Sequence, residues 1–84
     1  MINVFLEILK ANYLREYKIN LIFNTGESKI VDLSQELIGP VFEPVKDISF
    51  FRSFTIKYNT IEWSNGADFA PEFLLELGRS QDIN

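Results

Sequence analysis

Residues 54–77, Phe54-Thr-Ile-Lys-Tyr-Asn-Thr-Ile-Glu-Trp-Ser-Asn-Gly-Ala-Asp-Phe-Ala-Pro-Glu-Phe-Leu-Leu-Glu-Leu77, decide how the chain is read. A two-residue loop at Asn59-Thr60 pairs Tyr58 with Ile61, Lys57 with Glu62, Ile56 with Trp63 and Thr55 with Ser64. One face of that ribbon carries Ile56, Tyr58, Ile61 and Trp63. The other carries an opposite-charge pair and two hydroxyls, as a half-buried antiparallel hairpin requires. A slip of one residue spoils both faces. Asn59 tolerates the positive φ that such loops want and Thr60 dislikes it, so the register is better specified than the turn type.

Downstream, Ser64-Asn65-Gly66 reverses the chain, with Gly66 supplying a left-handed conformation. Pro71 falls in the first turn of a predicted helix, where a missing N–H costs little. Phe73, Leu74 and Leu77 share one stripe of that helix, Glu72 lies near its positive end, and Gly78 closes it. Ala70 precedes a proline and is biased away from helical geometry, so Asp68 is expected to orient the approach without capping the first helical residue. A helix this short does not hold alone in water. Its stripe is therefore expected to dock on the sheet, with the Trp63 ribbon pressed against it.

Eighty-four residues make one domain, with an ordered core over about residues 2–78 and a polar, frayed tail over 79–84. Hydrophobic residues at 46% and aromatics at 14%, eight of the twelve rings being Phe, are ample for a core and disfavour disorder. Twelve acidic against eight basic residues give a net charge of −4, and no three Lys or Arg gather in a run. Direct nucleic-acid binding is not expected from that charge distribution. With no Cys and no His, disulfides, thiolate chemistry and the usual zinc ligand are missing, and no cofactor is expected. No apolar run reaches the ~20 residues that cross a bilayer. The start, Met-Ile-Asn-Val-Phe-Leu-Glu-Ile-Leu-Lys, lacks a basic leader and is broken by Glu7. Export is not expected, and a cytoplasmic location is.

In chain order, alternation and β-branched content make residues 2–10 a strand, with Ile2, Val4, Leu6 and Ile8 on one face. Asn12 to Glu16 reads as a connection, with Tyr13 and Leu14 open to extending either neighbour. Tyr17 to Phe23 is a strand with Tyr17, Ile19, Leu21 and Phe23 to one side, and Asn24-Thr25-Gly26 turns it into Ser28 to Leu33. A Thr25-Gly26 loop sets Leu21 against Ile30 and Phe23 against Ser28; a bulged three-residue loop is the alternative. Asp32 to Pro40 reads as one helical turn, Val41 to Lys46 as an extended connector, and Asp47 as the cap of another turn with Ile48 and Phe51 inward. The fold class is α+β: a small antiparallel sheet of about four strands in two hairpins, short helical turns, and a C-terminal helix packed on the sheet.

Candidate functional residues are few. Trp63 could be a stacking platform, but its register makes it a core anchor with Ile56, Tyr58, Ile61, Phe73, Leu74 and Leu77. Asn65 and Asp68 bracket Gly66 and could grip a polar ligand or partner. Two oxygen ligands fall short of the six to eight that calcium wants, which leaves no metal site. Glu72 and Glu76, one helical turn apart, read as a solvated face. No serine sits in a nucleophile elbow or beside an evident base, so catalysis is not expected. Tyr13, Tyr17, Phe42 and Phe54 exceed what so small a core needs, and an exposed patch among them would mark a protein partner.

The signals Phe23-Asn24-Thr25-Gly26, Val31-Asp32-Leu33, Phe42-Glu43-Pro44-Val45-Lys46-Asp47 and Ile61-Glu62-Trp63-Ser64-Asn65-Gly66-Ala67-Asp68-Phe69-Ala70-Pro71-Glu72 occur in an order that resembles the small bacterial family known as domain of unknown function 2442. The likeness runs from about residue 2 to 78, and its specific part is the Trp, Asn-Gly, Asp and Ala-Pro run. Where the family usually has Asp before the turn glycine and Pro after the Trp, this chain has Thr25 and Ser64, which alters turn chemistry. The resemblance implies a compact α+β domain with no established activity. Some members are fused to a helix-turn-helix, for which this chain has no room, and others lie beside a second small family in an arrangement like that of toxin and antitoxin pairs. The expectation is a cytosolic protein-interaction or regulatory module, the acidic and antitoxin-like partner of a neighbouring small protein, with self-association left open. The alternative is a sensor domain for a small polar ligand near Asn65 and Asp68.

Overall fold

The computed structural model describes residues 5–80. Strands β1 (Ile8–Arg15), β2 (Lys18–Phe23) and β3 (Ser28–Asp32) form an antiparallel meander, extended at its far edge by β6 (Arg79–Ser80) in the order β1-β2-β3-β6. Between β3 and β6 come two 3-10 turns (Pro40–Phe42 and Pro44–Lys46), helix α1 (Ile48–Phe51), a separate hairpin β4 (Thr55–Lys57) with β5 (Thr60–Glu62), and helix α2 (Pro71–Leu77). The α+β expectation holds, with the strands divided between a four-stranded and a two-stranded sheet.

Period-two alternation on β2 builds the inner face of the sheet. Ile19, Leu21 and Phe23 are fully buried, and Val31, opposite Ile19, joins them. Ile8 of β1, with Leu33, Leu37, Val45, Phe51, Ile61, Trp63, Ala67 and Leu74 from the later segments, completes a single core cluster. On the other face crowding closes off the polar side chain of Asn20, whose Nδ2 donates to Ser28 Oγ and the Lys29 carbonyl, both at 3.1 Å. A buried amide so paired avoids the cost of an unmade hydrogen bond.

Several segments depart from the sequence expectations. The first strand starts at Ile8, and the part of that expectation on residues 1–4 lies outside the described residues. Asn12 to Arg15 is strand, not connection, because the chain reverses at Glu16-Tyr17 with Glu16 at φ 50° and pairs Arg15 with Lys18. Leu21 faces Lys29 and Ile22 faces Ser28, so the bulged three-residue loop Asn24–Gly26 is the one formed. Asp32 to Gly39 forms one hydrogen-bonded turn short of a helix: the Asp32 carboxylate accepts the Ser34 N–H at 3.0 Å and Glu36 N–H reaches the Leu33 carbonyl at 2.9 Å. The connector after it is coiled, not extended, since Pro40 and Pro44 each open a 3-10 turn with a pre-set φ. Asp47 does cap α1, accepting the Phe50 N–H at 3.2 Å; Phe51 is buried but Ile48 faces solvent.

The second hairpin is shifted by one residue. Its loop is Tyr58-Asn59, at φ 51° and 76°, and the pairs are Thr55 with Glu62, Ile56 with Ile61 and Lys57 with Thr60. Thr60 is thereby spared positive φ and kept in the strand, buried, with its Oγ1 donating to the Phe69 carbonyl at 2.7 Å. Ile61 and Trp63 are fully buried, whereas Ile56 at 41% and Tyr58 at 82% exposure are not core anchors.

Helix α2 spans the expected residues with Pro71 first and Ala70 extended at its N-cap. Leu74 is fully buried, Leu77 packs half-buried against the core, and Phe73 is 38% exposed, which removes it from the core anchors. The helix lies mainly against β3 and not on the Trp63 hairpin. Gly78 explains this. Its backbone is extended, its N–H closes the helix on the Leu74 carbonyl at 2.9 Å, and a Cβ there would stand 2.6 Å from Lys29 Cβ. With glycine the chain passes flush over β3 and then adds β6, so Arg79 and Ser80 pair with Ile30 and Lys29 instead of fraying, and the rest of that expected tail, 81–84, lies outside the described residues.

Candidate functional site

The Trp63 indole, 1% exposed, is the hub of an aromatic network. Its Nε1–H donates to the Phe51 carbonyl at 2.9 Å, and the rings of Phe51, Phe54 and Phe69 stand 5.7, 6.4 and 6.1 Å from it. Phe69 is the branch point: it stacks on Phe42 at 4.8 Å and on Phe73 at 5.7 Å, with interplanar angles of 21° and 20°. A near-parallel column of three rings, Phe42, Phe69 and Phe73, thus passes the indole at its middle ring and ends at the surface of α2. Phe69 is the ring between Trp63 and Phe73, where direct packing of ribbon on helix was expected.

At the outer end of that column, Glu72, Phe73, Leu75 and Glu76 line an open, mostly apolar hollow. Helical geometry places them there. With Leu74 turned fully inward, residues 72, 73 and 76 are turned outward, and the two carboxylates, one turn apart, lie together on one side of Phe73. The rings singled out as surplus do not form this surface. Tyr13 and Tyr17 pack edge-on against Phe51 at 6.1 and 5.1 Å, the Tyr17 hydroxyl donates to the Lys46 carbonyl, and Phe42 and Phe54 are half-buried in the network. The signal for Phe73 was its i, i+4 spacing from Phe69 across Pro71, which makes a ring pair at the very start of a helix.

Asn65 and Asp68 share one turn, yet neither lines the hollows beside Lys18, Leu14, Trp63 or Phe73. Both ends of the Asn65 amide are engaged: Oδ1 accepts the Ala67 N–H at 3.2 Å and Nδ2 donates to the Val41 carbonyl at 2.8 Å. That clip fastens the turn to the 3-10 segment carrying Phe42, and so holds the lower ring of the column. Asp68 pairs through its backbone with Glu62, and its exposed carboxylate makes no hydrogen bond or ion pair among the described residues.

Charge on the outer sheet face is balanced locally. Lys18 lies 3.5 Å from Glu16 and 3.7 Å from Asp32, and the same face offers a shallow hollow lined by Lys18, Ile30, Asp32 and Arg79 among others. The Ser34 backbone N–H, opposed by desolvation and helped by the Ser34 hydroxyl and Lys18, holds the Asp32 carboxyl below its ordinary 3.8. Exposed pairs of this kind contribute little to stability.

Among the described residues, no helix is long and apolar enough to cross a membrane. No curated protein and no solved structure matches the chain. A family model matches over residues 8–80, nearly the full length and including both glycine turns and the ring column. The chain therefore belongs to the family described as "Protein of unknown function (DUF2442)".

Proposed function

We propose that the chain is a protein-interaction module, the acidic and antitoxin-like partner of a small basic protein in the cytoplasm, and that the partner docks on the Phe73 surface of α2. One observation supports this above others: a large ring stands 38% exposed in a hollow it shares with Glu72 and Glu76, backed by the stacked rings of Phe69 and Phe42. A ring already held by its neighbours loses little freedom on binding, and covering the 38% that is still exposed gains about 0.5–1 kcal/mol. The two carboxylates and the net charge of −4 steer a positively charged segment toward it and discriminate against acidic ones. The occupant is accordingly a Lys- or Arg-bearing segment with an apolar anchor. This is a binding role with no catalysis.

The test places the photo-crosslinking residue p-benzoylphenylalanine at position 73 and irradiates the native host. One adduct with a basic protein, identified by mass spectrometry, is expected. That protein, purified, should bind the wild-type chain, and binding should fall at least tenfold for Glu72→Lys/Glu76→Lys, a loss of about 1.4 kcal/mol or more. Adducts only to a second copy of this chain, or unchanged binding by the charge-reversed variant, would overturn the proposal.

A further inference from the structure

The β4–β5 hairpin carries a polar hollow on different residues from the Phe73 surface. Ser53, Thr55, Lys57, Glu62, Trp63 and Ser64 line a concavity of about 140 Å³. Glu62 Oε1 is closed off from solvent within this part of the chain, and no donor among the described residues reaches it.

The hairpin register accounts for that. Glu62 is opposite Thr55, whose hydroxyl is free to turn as acceptor or donor, and Lys57 is displaced toward the tip, opposite Thr60. The Lys57 ammonium is drawn onto the neighbouring Tyr58 ring, 5.4 Å from its centroid, and makes no ion pair with Glu62. A carboxylate oxygen removed from water without a donor is unfavourable, and a ligand that supplies the donor relieves it.

We infer that this hollow binds a small organic cation with N–H donors, a guanidinium or primary ammonium group, with Glu62 as its counter-ion. The hydroxyls of Ser53, Thr55 and Ser64 supply further acceptors, and Trp63 completes the lining. The volume admits a guanidinium or alkylammonium head and is too small for a nucleotide or a sugar chain. The chemistry selects for charge and N–H donors together, so a quaternary ammonium of similar charge is rejected.

The sole tryptophan of the chain lines the hollow and reports on it directly. Trp63 fluorescence is followed in the full chain at constant ionic strength during titration with methylguanidinium chloride, methylammonium chloride and tetramethylammonium chloride. The expected result is a saturable change with the first two and none with the third. Glu62→Gln, which keeps the side-chain shape, should weaken binding about tenfold or more while leaving the melting temperature of the free protein unchanged or raised. Lys57→Met, which keeps the stem over Tyr58, should bind at least as well as wild type. No saturable response, an equal response to tetramethylammonium, retention in Glu62→Gln, or a response confined to Lys57→Met would each overturn the inference; the last would mean that Lys57 itself occupies the hollow.

Discussion

Two turns in this molecule, Phe23–Glu27 and Trp63–Ala67, are built alike and used differently. Each opens on a residue with a fully buried ring, whose backbone N–H donates to the carbonyl four residues on, Glu27 or Ala67, at 2.9 Å. Each has a glycine in fourth place, at φ 93° and 91°, whose N–H returns to the carbonyl of the ring residue at 2.9 Å. Each holds an asparagine whose Nδ2 reaches a remote carbonyl, Asn24 to Phe5 at 2.7 Å and Asn65 to Val41 at 2.8 Å. The first turn joins β2 to β3 and continues a regular ladder. The second leaves its ladder after one isolated bridge, Glu62 to Asp68, and releases the chain into α2. One local device thus builds scaffold in one place and presents a surface in the other. The residues beyond each glycine make the difference: a β-strand after Gly26, and Ala67, Asp68, Phe69 and Pro71 after Gly66.

If the two turns are equivalent anchors, truncating their rings should be equally damaging. Trp63→Ala and Phe23→Ala should each cost about 3–5 kcal/mol by urea denaturation, and a much smaller loss for Trp63 would break the equivalence. Next in size is Gly78→Ala. Its backbone is not left-handed, so the cost is steric, about 1–3 kcal/mol from the clash with Lys29, and should be lowered by Lys29→Gly. Gly26→Ala and Gly66→Ala should cost about 1–2 kcal/mol each and match one another, because a Cβ at either meets nothing within 4 Å and the cost is conformational alone.

The asparagines separate the two turns more finely. Asn24→Ala should cost about 1–2 kcal/mol, since the side chain also accepts the Glu7 N–H at 3.0 Å and ties down residues 5–7. Asn65→Ala, more exposed, should cost about 1 kcal/mol. Hydrogen exchange should quicken at the Glu7 amide in the first variant and at the Ala67 amide in the second. The smallest effect lies at the end of β3, where the Asp32 carboxyl is held below its ordinary 3.8 chiefly by the Ser34 N–H. A depressed folded value gives stability that is present above pH 3.8 and lost as pH falls through the folded value. Asp32→Asn should therefore flatten the acid limb of the stability profile by about 0.3 kcal/mol, because half of that side chain is in solvent.

The two turns also mark how far the sequence could be read. Gly26 and Gly66 announce themselves because only glycine takes that φ cheaply, and the helix after Pro71 is legible from proline chemistry and an apolar stripe. The reversal at Glu16-Tyr17 could not be seen, since it has no Gly, Asn or Pro and forces a glutamate to φ 50°. The β4–β5 register slipped for a related reason. Asn59 takes positive φ in either register, and the choice fell on a tyrosine because Thr60 is held inside by the Phe69 carbonyl, a tertiary contact invisible locally. Asn65 read as a polar group near a turn, which is correct, but its occupation by Val41 depends on where the 3-10 segment passes. Phe73 was placed on the buried stripe of α2; the structure seats that helix on β3 through Gly78 and turns the ring outward.

The most direct test of the claim that α2 presents the working surface compares two exposed aromatic residues, Phe73 on the helix and Tyr58 at the tip of the hairpin. Affinity-tagged wild type, Phe73→Ser and Tyr58→Ser are expressed at native level, and binding of the cross-link-identified basic partner is measured by calorimetry alongside each melting temperature. All three proteins should fold, with binding lost at least tenfold for Phe73→Ser and kept for Tyr58→Ser. Equal binding by wild type and Phe73→Ser would contradict the claim.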